Sequence, residues 1–253
     1  MAPTRFAIVG DVHGDFRALV AGVDRAREQF GPLDFVLSVG DVEANRTPED
    51  AQGVVSPERY RKVGDFPDVV SGNLRLGTPF YFIAGNHDPY PALDEHGPGH
   101  WVADCHWLGR WGVTTIHRIR ISFLSGIRSP KYSDTPKPIR TGPKVRTYWH
   151  RSELDALIRK SSEAGPIDVL LTHEWPEGIG TTRRGQEAGQ SEIRRLVETV
   201  RPKVHACGHI HHPLRATIGG TTVVCLAKVS NRIGGIAVFE TWNDGLRRLD
   251  DAP

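Results

Sequence analysis

A chain of 253 residues with 38% hydrophobic content has enough apolar surface for one large α/β unit, or at most two small ones. Its 32 basic and 30 acidic side chains leave a formal charge of +2, which excludes a basic field spread over the whole surface as a route to nucleic acid. Cys105, Cys207 and Cys225 have no paired spacing, which argues against a disulfide framework and against a thiolate metal site. No run approaches the length of a membrane-spanning helix, and residues 1–5 lack the apolar core of a signal peptide, so a soluble cytoplasmic protein is expected.

Phe6 to Val9 is a short apolar run ending in Gly10 and reads as a buried strand. Residues 15–30 place Phe16, Leu19, Val20, Val23 and Ala26 at helical spacing, with Asp15 as the cap. Phe35 to Val39 and Phe80 to Ala84 are two more buried strands, each followed by glycine, so a β-α-β start and parallel strands are expected. Short β-like runs follow at 113–116 and 119–124. Residues 128–150 are rich in Pro, Arg, Lys and Tyr without a period, and read as a long loop or insert. A helix is expected over 151–160, a buried strand over 167–171, a helix over 190–200 and a strand over 204–207. The tail from 214 to 248 alternates like antiparallel strands, with turn residues at Gly219-Gly220 and Gly234-Gly235. No linker or repeat divides the chain, so residues 1–253 are read as one domain.

The polar residues gather where these strands end. The first strand leads into Asp11 and His13, the second into Asp41, and the third into Asn86 and His87. The strand near 170 leads into His173, and the strand near 206 into His209 and His211. Ligands of open α/β sheets sit outside the carboxyl ends of strands, so five strands deliver oxygen and imidazole donors to one edge. Carboxylate, amide and imidazole together suit Mn²⁺, Zn²⁺ or Fe. Two such cations sharing a carboxylate form the usual clamp for in-line phosphoryl displacement.

Gly10-Asp11-Val12-His13-Gly14, Gly40-Asp41, Gly85-Asn86-His87-Asp88, His173 and Gly208-His209-Ile210-His211 resemble, in order, the five motifs of the calcineurin-like metallophosphoesterase superfamily. The resemblance implies a four-layer α/β/β/α sandwich of two mixed β-sheets flanked by helices. It implies two divalent metal ions, Mn foremost, with Fe or Zn as alternatives. Asp11, His13 and His211 would hold the first metal, Asn86, His173 and His209 the second, and Asp41 would bridge them. His87 would stand beside the scissile phosphate as proton donor or charge stabiliser. By default His212 and His205 are read as a neighbouring or surface group and a core histidine, His150 as a surface residue, and Asp88 as orienting a neighbour.

Serine/threonine protein phosphatases carry an Arg four residues beyond the bridging Asp, whereas here Arg46 falls one place later. That offset is similar to the RNA lariat debranching enzyme family. Further likeness lies in Ser56 to Arg61, Gly99 to Ala103, Leu124 to Ile127, Thr172 to Pro176 and Arg201 to Lys203. Debranching enzymes hydrolyse a 2′-5′ phosphodiester at an RNA branch, and their recognition loop falls where this chain has 128–150. That insert carries Arg128, Lys131, Lys137, Arg140, Lys144 and Arg146 and runs into Arg151, with Tyr132, Tyr148 and Trp149 interleaved, as suits phosphates and stacked bases. Arg46, Arg128, Arg140, Lys144 and Arg146 are the candidate substrate contacts. Two departures stand out: debranching enzymes generally have Cys where this chain has Asp11, and they continue well beyond the position of Pro253. The expectation is a metal-dependent phosphodiesterase acting on a phosphodiester such as RNA or a nucleotide. A phosphomonoesterase, including a protein phosphatase, is the alternative, and a non-catalytic scaffold the outlier.

Overall fold

The computed structural model describes residues 3–250 apart from Lys137, Arg183, Arg232, Asn243 and Asp244. Its strands in chain order are β1 (Arg5–Val9), β2 (Phe35–Ser38), β3 (Phe80–Phe82), β4 (Gly99–Val102), β5 (Cys105–Trp107), β6 (Trp111–Ile116), β7 (Ile119–Leu124), β8 (Val169–Thr172), β9 (Val204–Cys207), β10 (Leu214–Ile218), β11 (Thr221–Cys225), β12 (Ile236–Trp242) and β13 (Gly245–Arg248). The helices are α1 (Phe16–Phe30), α2 (Pro48–Gln52), α3 (Phe66–Val70), α4 (Tyr90–His96), α5 (Pro143–Arg146), α6 (Arg151–Ala164) and α7 (Ser191–Val200).

The strands form two mixed sheets, β13-β12-β1-β2-β3-β5-β4 and β10-β11-β9-β8-β7-β6. Strand periodicity explains the layering. In β1 and β2, Phe6, Ile8, Phe35 and Leu37 face the core between the sheets, together with Val169, Leu171, Val204 and Ala206. The alternate residues Ala7, Val9 and Val36 face a second core under α1 and α3. On the other sheet Leu170, Cys207, Val223 and Cys225 face a third core, shared with Leu154 and Leu157 of α6 and Ile193 and Leu196 of α7. Three cores separate four layers, the α/β/β/α sandwich implied above. Strands covered on both faces read as continuous apolar runs. This is why β1, β2 and β8 stand out in the sequence.

Strand direction positions the site. β1, β2 and β3 run parallel, as do β7, β8, β9 and β11. The carboxyl ends of β1, β2, β3, β8 and β9 therefore open on one edge. α1 begins where expected, with the Asp15 carboxylate accepting the Ala18 N–H at 2.9 Å. No helix among the described residues is long and apolar enough to cross a membrane.

His205 is fully buried on β9, as the core reading expected, with Nε2 2.8 Å from Thr172 Oγ1. Burial pulls its pKa down to about 3. His150 departs from its expected surface position. It is fully buried, caps the start of α6, and its Nε2 accepts the Ile139 N–H at 3.3 Å. The insert folds over it, which local composition does not reveal.

The His205 shift predicts an acid liability. Below the ordinary histidine pKa of about 6.5 the unfolded chain takes up a proton that folded His205 refuses. Stability is therefore lost as pH falls from about 6.5 towards about 3. Chemical denaturation of chelator-treated protein at several pH values should show a shallower slope for His205→Gln, by about 1.4 kcal/mol per pH unit.

Candidate metal centre

Asp11 and Asp41 are completely buried at the ends of β1 and β2. Around them the structure assembles two donor groups. Asp11, His13, Asp41 and His211 form one, and Asp41, His173 and His209 the other, each with its donor atoms within 4.8 Å of one another. Asp41 belongs to both. His211 Nε2 lies 2.7 Å from Asp11 Oδ2, and His13 Nε2 lies 3.0 Å from His211 Nε2. Two imidazole nitrogens that close need a proton or a cation between them.

The imidazoles are aimed from behind. His173 Nδ1 is 2.9 Å from the Val39 carbonyl, which turns Nε2 towards Asp41. His13 Nδ1 is 2.8 Å from Glu43 Oε1, which turns its Nε2 inward. Carbonyl or carboxylate partners on the far ring nitrogen are what metal-binding histidines ordinarily have. Two buried atoms at this edge have no hydrogen-bond partner, His173 Nε2 and Asn86 Oδ1. His173 Nε2 is 3.3 Å from Asp41 Oδ2, yet the pair lacks hydrogen-bond geometry. Orphaned side-chain atoms beside two buried carboxylates fit divalent cations, and the buried Asn86 amide oxygen is available as a further donor.

The electrostatics agree. Burial pushes the Asp41 carboxyl up, but the charge and proximity of His173 outweigh it and hold Asp41 well below the usual carboxylate range. Burial would lower His173, yet Asp41 raises it to about 10. His209, next to His173 and screened from solvent, is pulled down by burial to about 4 and stays neutral.

Backbone shape carries part of the design. His13, Asp41, Glu43, His209 and His211 all hold left-handed φ values, between 49° and 69°. Non-glycine residues rarely sit there, and such strain persists where the surroundings enforce it. The enforcement is visible. Val12 and His13 donate N–H groups to the Asp41 carbonyl at 3.0 and 2.9 Å. The buried Asp88 carboxylate accepts from Val42, Glu43 and Gly85 at 3.0, 2.7 and 2.7 Å, tying the loops after β2 and β3 together as its orienting role anticipated. Burial first, then the neighbouring Asp41, raises Asp88 to about 7. Gly85 is required for space: a Cβ there would collide with Asp41 Oδ1 and lie 2.6 Å from His173 Nε2.

His87 donates its backbone N–H to Asp41 Oδ1 at 2.7 Å, and its ring centroid is 5.5 Å from that of His13. It stands at the rim of the centre without joining either donor group. Sequence reasoning missed Glu43 and Lys228. Lys228 follows β11, next to Val229, whose N–H bonds the Asp11 carbonyl at 3.0 Å, and its charge acts on His13. The parallel pairing of β11 with β9 would have placed it, but that pairing is not visible locally.

The candidate substrate contacts fare differently. Arg46 grips Asp50 through Nε at 2.8 Å and lies over the Trp101 ring at 3.9 Å. Arg128 pairs with Glu192 and Asp134, Arg140 with Glu153, and Arg146 with Asp94. These guanidiniums hold the insert to the body of the fold. Glu174 adds a buried clamp, accepting from the Arg128 N–H, Trp149 Nε1 and Gln190 Nε2 at 2.7, 3.0 and 3.0 Å. Lys144 remains exposed, Lys131 lies 5.1 Å from the Tyr132 ring centroid, and Lys137 falls outside the described residues.

With this geometry in view, comparison with known proteins is decisive at the family level. The calcineurin-like phosphoesterase family model matches residues 4–213. The chain belongs to the calcineurin-like phosphoesterase family. Among curated relatives of this phosphoesterase, a lariat debranching enzyme of Entamoeba histolytica is 28% identical over 243 residues, covering 88% of this chain and 68% of that protein. The lariat debranching enzyme of Schizosaccharomyces pombe is 26% identical over 237 residues, covering 85% and 49%. The human one is 31% identical over 180 residues, covering 69% and 33%. The phosphoesterase thus spans about half the length of the yeast protein and a third of the human one. In fold it is similar to a dimetal phosphatase from Danio rerio, with TM-score 0.60, 12% identity and 97% and 95% coverage. It is equally similar to GAP50, the anchor in the inner membrane complex of Plasmodium, with TM-score 0.60, 16% identity and 98% and 84% coverage. The same layers therefore serve a phosphatase and an anchor, and the chemistry rests on the site.

Removing the shared carboxylate should empty both halves. Asp41→Ala is expected to bind no divalent metal at concentrations where the native protein binds two equivalents, read by calorimetric titration. In the insert, Arg146→Ala should lower stability by about 1 kcal/mol through the Asp94 pair, while Lys144→Ala should leave the melting temperature unchanged.

Proposed function

We propose that this phosphoesterase is a dinuclear metal-dependent phosphodiesterase acting on RNA or a related nucleotide diester. The observation that carries it is the sharing of buried Asp41 by two donor groups, with His87 beside them. Asp11, His13 and His211 would hold one metal and Asn86, His173 and His209 the other, with Asp41 shared between them. Manganese is the proposed metal, because carboxylate, amide and imidazole donors without thiolate suit it. When bound, the metals lower the pKa of a water nucleophile and neutralise phosphate charge.

The chain's own groups do the rest. Asp41 fixes the backbone of His87, so its imidazole is held at the rim, where it stabilises charge on the phosphate or protonates the leaving oxygen. Glu43 and the Val39 carbonyl fix the ring planes of His13 and His173. Asp11 stands where debranching enzymes generally have Cys, and its carboxylate would give the first metal a hard oxygen donor. The diester preference is supported by the likeness to lariat debranching enzymes over most of the chain. Lys144 is the insert residue proposed to meet substrate, since it is exposed and the insert's described arginines are engaged within the fold. The chain works as one unit, with donors drawn from both sheets. A reducing cytoplasmic setting is proposed, supported by the scarcity of cysteine; the buried Cys207 thiol hydrogen-bonds Cys225 Sγ at 3.5 Å.

With Mn²⁺ present, bis-p-nitrophenyl phosphate should be hydrolysed in clear preference to p-nitrophenyl phosphate. His87→Ala should keep its metal and lose about 10²–10³-fold in kcat. A monoester preference would replace this reading with a phosphomonoesterase. No turnover of either ester by metal-loaded protein would leave a scaffold.

A further inference from the structure

β9 and β11 run side by side and parallel, with Cys225 opposite Cys207. Just past that pair the Leu226 N–H bonds the Cys207 carbonyl at 2.8 Å, so both chains leave the sheet at the same level. Three residues beyond Cys207 is Ile210, between His209 and His211, and three beyond Cys225 is Lys228. The pairing therefore brings a lysine to the height of the histidine loop.

The backbone around Lys228 is fixed against the first metal motif. Val229 donates to the Asp11 carbonyl at 3.0 Å, and Gly10 to the Gly235 carbonyl at 2.9 Å. Ala227 donates to the Gly234 carbonyl at 2.7 Å, and the Asn231 N–H closes a turn on the Lys228 carbonyl at 2.9 Å. The two segments approach closely, since a Cβ on Gly10 would collide with the Ala227 carbonyl. Val229 is buried in the core beneath α1, whereas Lys228 is half-buried. Its positive charge bears on the imidazole of His13, a member of the first donor group. His13 also borders His87, with 5.5 Å between ring centroids.

The acids of this edge are already engaged. Asp11 accepts the His209 N–H at 3.1 Å and lies 2.7 Å from His211 Nε2. Asp41 accepts the His87 N–H and faces His173. Glu43 holds His13, and Asp88 holds three backbone N–H groups. Among the described residues none forms an ion pair or a hydrogen bond with the Lys228 ammonium. A fixed cation beside a centre suited to metal ions opposes their binding, and the placement is costly unless an anion joins the site. The anion at hand is the substrate's own phosphate. An ammonium is a compact point charge with three donors, which suits a phosphoryl oxygen.

We propose that Lys228 is a catalytic residue that touches the substrate, its ammonium donating to a non-bridging oxygen of the scissile phosphate on the β11 side of His13. It rests on the phosphodiesterase reading for the ester that brings this phosphate. The contact stabilises charge on the phosphate as the ester bond breaks and transfers no proton. Protonation of the leaving oxygen stays with His87.

The test separates phosphate contact from metal binding. Lys228→Met removes the charge and keeps most of the side-chain length. By calorimetric titration it should bind two equivalents of Mn²⁺, as the native protein does. Its affinity for inorganic phosphate, titrated into Mn²⁺-loaded protein, should fall about 10-fold or more, as for one lost charge-assisted hydrogen bond. Its kcat/KM for bis-p-nitrophenyl phosphate should fall about 10- to 100-fold. Lys228→Arg should restore most of both quantities. Lys228→Gln should match Lys228→Met and replaces it if the methionine variant does not fold. Native phosphate affinity and native kcat/KM in the neutral variants would overturn the proposal. So would loss of a Mn²⁺ equivalent, which would make Lys228 a support for the metal loop. A change in Mn²⁺ affinity alone would likewise overturn it, leaving the lysine as a modifier of His13. If the native protein hydrolyses no diester, the functional reading falls, and the phosphate titration still decides the role of Lys228.

Discussion

Everything at the catalytic edge follows from placing the Asp11 and Asp41 carboxylates out of reach of water. A buried anion is costly unless matched by positive charge, and here two are set side by side. The match comes from imidazoles arriving on separate strand ends, and His173 is raised to about 10 by Asp41 for that reason. The same arrangement explains the orphaned His173 nitrogen beside Asp41. The site asks for cations, and its hydrogen bonds leave room for them.

Holding the donors in place falls to less conspicuous groups. The left-handed residues of the ligand loops would relax if those loops were free. Asp88 prevents it by gathering three N–H groups from two loops, and the Asp41 carbonyl gathers two more from a third. Rigid loops on parallel strands give the precision that catalysis by positioning needs. The insert is fastened in a similar way, with Glu174 linking it to the loop that carries His173. The insert and the loop that carries His173 thus share a buried carboxylate clamp.

The layers and the donors were legible because both are written locally. A strand buried on two faces is a run of apolar residues, and a donor at a strand end follows it directly, as in Val9-Gly10-Asp11. What the sequence concealed is long-range pairing. Short elements such as β4, β5, α2 and α3 have too few residues to show a period. His150 looked like a surface residue because the turn that covers it is brought there by the insert. Arg128, Arg140 and Arg146 looked available because their partners, Glu192, Glu153 and Asp94, lie between 13 and 64 residues away. Lys228 was overlooked because it approaches His13 only after β11 has paired beside β9.

The pairing of β1 with β12 sets a condition on how the chain can be made. Arg5 lies opposite Glu240, and Val9 opposite Ile236, so this strand pairs with one made more than two hundred residues later. Until then one edge of a strand that is apolar from Phe6 to Val9 has no partner, and such edges invite pairing with other chains. Parallel partners with long crossovers are themselves slow to form. β2 can cover the other side of β1 early, but completion of that sheet waits for β12. A chain interrupted between residues 211 and 236 would carry every donor and still keep this apolar edge open, a state prone to aggregation.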